Sequence, residues 1–142
     1  MDYKIRRAVE SEYSDLIDFA SMVFYVNFPY RLPKLYDGHP EVSPYHLLVT
    51  EEDRIKAMVG SFPLDLRVSW LKLQGIGTVS VHPRSRGKGY MQLLLKELVE
   101  DAKADGADLM FLGGQRQRYG YFGFDQAATQ LSFTVSRANL RH

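Results

Sequence analysis

The sequence predicts a single mixed α/β domain, a β-sheet with helices packed on it. Three observations carry that prediction. At 142 residues the chain suits one compact domain that buries a core without disulfides or metals. Its apolar residues switch repeatedly between period-two and period-3.6 spacing, the mark of strands interleaved with helices. A cationic, glycine-containing loop, residues 81–91 (VHPRSRGKGYM), joins an apolar β-type run to an amphipathic helical run.

Tyr3 and Ile5, followed by Ala8 and Val9, predict a first short strand. Glu10-Ser11-Glu12 then leads into a helix carrying Tyr13, Leu16, Ile17, Ala20 and Phe24 on one face and ending near Tyr25. Residues 27–44 interleave Pro29, Pro33, Pro40 and Pro44 with Phe28, Tyr30, Leu32, Leu35 and Tyr36. Proline lacks an amide donor and clashes inside helices, so this stretch reads as an aromatic loop with one helical turn. Residues 46–50 and 55–66 read as paired strands about the polar turn Glu51-Glu52-Asp53-Arg54.

Residues 68–73 and then 76–81 continue the sheet up to the glycine loop. Beyond it Met91, Leu94, Leu95, Leu98, Val99 and Ala102 keep helical spacing, and Gly106 is the expected stop. Residues 108–112 form a short apolar strand closed by Gly113-Gly114. Residues 115–122 read as a short helix before Gly123-Phe124, and residues 130–135 as the last strand. The sequence stops soon afterwards, at residues 138–142, where a partner strand is expected; the chain therefore reads as the front part of a longer protein.

Composition narrows the function classes. Eighteen Lys and Arg against 17 Asp and Glu give a net charge of +1, which lacks the basic excess of a general nucleic-acid binder. There is no cysteine, so disulfides, thiolate zinc sites and a cysteine nucleophile are excluded. His39, His46, His82 and His142 show no paired metal-ligand spacing. No apolar run reaches membrane-spanning length, and the N-terminus lacks the apolar core of a signal peptide. The expectation is a soluble cytoplasmic domain with no nucleic-acid or membrane partner, a homo-oligomer being compatible with all of this.

The loop has the design of an anion cradle. In Arg84-x-x-Gly87-x-Gly89 the glycines let the backbone turn tightly and approach a ligand. The first amides of the helix that follows lack intrahelical acceptors and sit at the positive end of its dipole. Arg84, Arg86 and Lys88 add charge. A nucleotide P-loop is ruled out because Gly87-Lys88 is followed by Gly89 rather than Ser or Thr. A dinucleotide fingerprint fails at Gln92, and the loop does not follow the first strand.

Two segments in order resemble the GNAT superfamily of acyl-CoA-dependent N-acyltransferases. RSRGKG at residues 84–89, after the strand at 77–81, is similar to the family's Q/R-x-x-G-x-G/A pyrophosphate loop. YGYFGF at residues 119–124 is similar to its Tyr-x-x-x-Gly-Phe segment. The resemblance covers roughly residues 45–135. Met91 where many members have glycine, and YGYFGFDQAAT, look most like the first domain of the enhanced intracellular survival acetyltransferases, in which a longer chain helps complete the active site.

The resemblance implies a mostly antiparallel sheet with one splayed parallel pair, and acetyl-CoA as co-substrate without a metal. It also implies an N-acetyltransferase acting on a small-molecule or peptide amine by direct attack in a ternary complex. The amides of residues 86–90, with Arg84, Arg86, Gly87, Lys88, Gly89 and Tyr90, would hold the pyrophosphate. At about 1.5–3 kcal/mol per charge-assisted hydrogen bond, three or four such bonds supply much of the ~8 kcal/mol that micromolar binding needs. Val79 and Val81 would offer backbone groups to the pantetheine arm. Tyr119 matches the tyrosine that protonates the departing thiolate, and Tyr121 competes for that role.

No carboxylate lies in residues 74–81, the strand that supplies a base in some members. A water chain, His82 or a carboxylate beyond His142 stand as candidates, His82 reading more simply as part of the turn that aims the loop. Tyr25, Phe28, Tyr30 and Tyr36 either flank the acceptor amine or seal the sheet. The missing carboxylate also leaves open a non-catalytic acyl-CoA-binding or regulatory domain.

Overall fold

Among the described residues five strands hydrogen-bond in chain order: β1 (Lys4–Arg7), β2 (His46–Glu51), β3 (Arg54–Leu64), β4 (Leu73–Val81) and β5 (Leu109–Leu112). The computed structural model describes residues 2–65, 70–113, 119–125, 127, 132–133 and 136–140. Neighbours pair antiparallel from β1 to β4, whereas β4 and β5 run parallel. The change of direction follows from connectivity. A tight turn suffices between antiparallel strands, but a parallel pair needs a crossover, here supplied by helix α4 (Tyr90–Ala104).

The long apolar runs of β2 and β3 reflect helices on both faces of the sheet. Alternate residues divide between two cores. Leu48 and Met58 pack with Leu16, Phe19 and Ala20 of helix α1 (Tyr13–Phe24). Leu47, Val49, Ala57 and Val59 pack with Tyr90, Leu94, Leu95 and Leu98 of α4. Helix α4 ends as its sequence predicts: Gly106 turns left-handed at φ 73, its amide donates to the Lys103 carbonyl, and the Ala107 amide reaches back to Ala102.

Three expectations are refined. The aromatic stretch carries more helix than one turn, with α2 (Phe28–Arg31), α3 (Pro33–Tyr36) and a 3-10 segment over Pro40–Tyr45. Pro29, Pro33 and Pro40 sit at the starts of these helices, where no intrahelical amide bond is lost, so proline begins turns here instead of breaking them. The β2–β3 turn is tighter than the four residues predicted. Glu51 already pairs with Arg54, and Glu52 and Asp53 both adopt positive φ, 50° and 58°, whose twist matches that of the flanking strands.

Of the strand predicted at 68–73, residues 70–72 are not strand and only Leu73 is, while β4 runs unbroken from Leu73 through 74–75 to Val81; residues 66–69 lie outside the described residues. A 3-10 turn at Gly120–Phe122 occupies the end of the short helix predicted over residues 115–122, whose residues 115–118 are not described. The strand predicted at 130–135 falls mostly outside the described residues.

Candidate functional site at the end of strand β4

β5 covers only half of β4. The parallel ladder runs from Leu73 opposite Leu109 to Ile76 opposite Leu112 and stops there. Among the described residues, 77–81 of β4 continue with no strand partner on the β5 side, half-buried except for Ser80, and run into the glycine loop. The same stretch is irregular on its other side. Met58 faces Ser80 but Gly60 faces Gly77, so β4 holds an extra residue, a β-bulge at 78–79, with Thr78 at φ 51. A strand that leaves its ladder frees backbone groups for a ligand of strand-like shape.

The loop is built to a single shape. His82 closes its first turn: its amide donates to the Lys56 carbonyl, and its Nδ1 accepts the Arg84 amide at 3.1 Å. Gly87 and Gly89 then turn left-handed at φ 82 and 79, Gly89 being the cap of α4. A Cβ on either would meet nothing within 4 Å. Glycine is therefore required by conformation, and the space over the loop is open, as a phosphate-bearing guest demands. Arg84, Arg86 and Lys88 are exposed around it.

Glu51 ties the loop to the sheet. Its Oε1 accepts from Lys88 Nζ at 2.9 Å and from the buried Tyr90 hydroxyl, while Lys88 lies 5.7 Å from the Tyr90 ring centroid. The Tyr90 and Lys88 bonds hold the Glu51 carboxyl below its ordinary 4.5, and the same carboxylate raises Tyr90 to about 12. A depressed carboxyl pKa gives stability that is present above 4.5 and lost as pH falls through the folded-state value. Glu51→Gln is thus expected to flatten the acid limb of melting temperature against pH below about pH 5, with little change at pH 7 beyond loss of the ion pair. Thermal melts of both proteins at stepped pH measure it.

A family model for the acetyltransferase (GNAT) domain matches residues 4–127, nearly the whole chain. This chain belongs to the GNAT family. Solved structures show the same fold at low identity. A predicted acetyltransferase with acetyl-CoA from Clostridium acetobutylicum is 17% identical and superposes with a TM-score of 0.78 over 94% of this chain and 96% of that one. An aminoglycoside acetyltransferase from an uncultured soil metagenomic sample gives 15%, 0.71, 96% and 100%. Glucosamine-6-phosphate N-acetyltransferase from Arabidopsis thaliana gives 19%, 0.65, 96% and 100%. No curated protein sequence matches the chain.

Within this GNAT domain the residues singled out from sequence divide into groups. Val79, Val81, Tyr119 and Phe122 all pack against the core formed with Tyr90, Leu94 and Leu98, so the open strand, the start of α4 and the tyrosine segment meet on one face. Tyr119 is half-buried and Tyr121 is 75% exposed, which separates the two tyrosines by environment. Tyr90 contributes to the loop by its backbone, since its hydroxyl is engaged by Glu51. His82 has one ring nitrogen in the turn and its ring stacked on Phe19 at 6.5 Å, the structural role its place in the turn suggested.

The four aromatic candidates split in the same way. Phe28 and Tyr36 are core residues in edge-to-face contact at 5.5 Å, while Tyr25 and Tyr30 are 90% and 87% exposed. Phe28 and Tyr36 thus seal the core, whereas Tyr25 and Tyr30 face solvent. Sequence reasoning missed the polar contacts of Tyr36: its buried hydroxyl bonds His46 and Thr78. The available signal was a histidine at the head of an apolar strand run, a position that, once buried, requires a hydrogen-bond partner.

Proposed function

We propose that the chain is an acetyl-CoA-dependent N-acetyltransferase that acylates an amine of a small molecule or peptide by direct attack in a ternary complex. The observation that carries this reading is the run of β4 past its last parallel pair, residues 77–81, straight into the glycine loop. One continuous stretch of chain, paired with β3 but on its β5 side without a strand partner among the described residues, offers backbone for an extended arm and, next to it, an amide-rich, cation-flanked cradle for a pyrophosphate. In this assignment residues 86–90, with Arg84, Arg86 and Lys88, bind the pyrophosphate, and the backbone of Val79 and Val81 aligns the arm. The neutral amine nitrogen bonds to the thioester carbonyl carbon, the carbon–sulfur bond breaks with its electron pair on sulfur, the Tyr119 hydroxyl gives its proton to that sulfur, and the proton shed by the nitrogen passes through water to restore the phenol.

A small-molecule acceptor is supported by the structural neighbours named for aminoglycosides and glucosamine 6-phosphate. The cytoplasm, where acyl-CoA is made and used, is the proposed setting. Among the described residues no helix is long and apolar enough to cross a membrane. Met91 and the tyrosine segment support kinship with the first domain of the enhanced intracellular survival enzymes.

Acetyl-CoA at about 100 times its Kd should stabilise the domain by about 2.7 kcal/mol, a melting-temperature rise of roughly 8 °C for a chain of this size. No rise would remove the cofactor assignment. Release of free CoA over aminoglycosides, amino sugar phosphates, polyamines and peptide amines then tests transfer. A clear thermal shift with no release from any acceptor would point instead to a non-catalytic acyl-CoA-binding domain, the reading favoured by the lack of a carboxylate along residues 74–81.

A further inference from the structure

β-branched residues avoid the left-handed region, because Cβ crowds the neighbouring carbonyl there. Thr78 occupies it nonetheless, at φ 51 in the β4 bulge, and its hydroxyl is what fastens it. Thr78 Oγ1 lies 2.8 Å from the Tyr36 hydroxyl, which in turn lies 2.9 Å from His46 Nε2. Gly60 on the facing strand makes the room: a Cβ there would stand 2.9 Å from Thr78 Oγ1 and 2.6 Å from the Phe62 ring. Tyr36 and His46 are 1% and 0% exposed, so neither exchanges its partner for bulk water.

The proton positions along this chain follow from its far end. His46 Nδ1 faces the carbonyl oxygens of Val42 and Ser43 at 3.1 and 3.2 Å. Carbonyls only accept, so Nδ1 carries the hydrogen. Burial away from water lowers the imidazole pKa and keeps the ring neutral, which leaves Nε2 as a lone pair. The Tyr36 hydroxyl must therefore donate to His46. Its single proton is committed there, so the bond to Thr78 is donated by Thr78. That commits the threonine proton as well. What remains on Oγ1, at the half-buried end of β4, is lone-pair density alone.

We propose that the His46–Tyr36–Thr78 chain makes the Thr78 hydroxyl an obligate acceptor that takes an N–H of the incoming amine and aims the nitrogen lone pair at the thioester. Tyr36 and His46 are positioning residues that act through Thr78. The inference rests on the acetyltransferase reading above. It distinguishes the two reactants by chemistry: the acyl carbonyl oxygen also only accepts, so it is turned away from Oγ1, whereas an amine supplies the donor that Oγ1 needs.

Two measurements on the full chain test it. Nitrogen-15 spectra of labelled histidine should show His46 as the neutral Nδ1–H tautomer at about pH 8, and charging only at a lower pH than an ordinary histidine. This needs no substrate, so it stands even if acetyl-CoA fails to bind and the acetyltransferase reading falls. The Nε2–H tautomer or a charged ring at that pH overturns the inference. The second measurement is CoA release with sisomicin, glucosamine 6-phosphate, spermidine and benzylamine.

Thr78→Val keeps the shape and β-branching. It should raise KM for the amine about 10-fold, leave KM for acetyl-CoA and the acetyl-CoA thermal shift unchanged, and be largely rescued in Thr78→Ser. Tyr36→Phe frees the threonine proton and should give a smaller rise, about 3-fold, in the same direction. An unchanged amine KM in Thr78→Val, or an effect confined to acetyl-CoA, overturns the proposal. Should none of the four amines react, benzylamine binding to the CoA complex, read at the Thr78 methyl, replaces the kinetics. Binding that Thr78→Val weakens supports the proposal, and binding that it leaves unchanged, or no binding, overturns it.

Discussion

Replacing Gly87 with glutamate should abolish the stabilisation by acetyl-CoA, with affinity falling at least about 100-fold and the melting-temperature rise lost. Two effects add. Gly87 holds φ 82, where a residue with a Cβ is disfavoured by roughly 1–2 kcal/mol, so the loop resists its working shape. The new carboxylate also stands where a pyrophosphate would be held, and like charges there repel instead of forming charge-assisted bonds. An added Cβ meets no atom within 4 Å, so the fold itself should survive, and the unliganded melting temperature should drop by only a few degrees. Gly87→Gln separates the two contributions, because it carries the strain without the charge. Isothermal titration of the three proteins with acetyl-CoA measures both; a glutamate variant that binds as well as the parent would place the pyrophosphate elsewhere.

Tyr119→Phe should reduce turnover about 100-fold while leaving the acetyl-CoA thermal shift in place. General-acid assistance contributes about 10²–10⁴ in rate. The Tyr119 side chain is half-buried against the face that carries Val79 and Tyr90. Loss of one oxygen leaves the ring and its packing intact, which is why binding should persist. Tyr121→Phe, at an exposed site, is the control and should stay within about 2-fold of the parent. A rate lost from Tyr121→Phe but kept in Tyr119→Phe would exchange the two roles.

How far the sequence carried can be judged from particular residues. The central strands, α1 and α4 were legible: Leu94, Leu95 and Leu98 recur at helical spacing, and residues 47–49 and 57–59 form the unbroken apolar runs of doubly covered strands. Gly87 and Gly89 were legible from context, between a strand-like run and a helical run and flanked by three cations, since the same spacing at Gly75 and Gly77 lies inside β4 without positive φ. Less visible was the tight β2–β3 turn, where Glu52 and Asp53 adopt the positive φ more usually given to Asn-Gly or Gly.

Proline misled for a definable reason. It stops a helix from inside but starts one at the first turn, and spacing alone does not say which position it will hold. The Tyr36–His46–Thr78 chain was out of reach for another reason. Its members come from three elements up to 42 positions apart, and only the packing of α3 on the sheet brings them together. The same holds for Glu51, which reads as turn polarity and is in fact the anchor of the glycine loop.

The β4 bulge has a consequence for inhibition. Thr78 bonds into the core beneath α1, whereas Val79 packs into the core beneath α4, so successive residues of one strand address opposite faces of the sheet. Successive Cα atoms lie about 3.8 Å apart, and no hinge separates them. A covalent hybrid that joins an amine to the end of a CoA analogue through a linker of one or two atoms matches that fixed offset. On the proposed assignment of the amine to Thr78 and the arm to Val79 the two halves meet on a single strand, so such a compound needs no domain closure and its tolerance for a longer linker should be small.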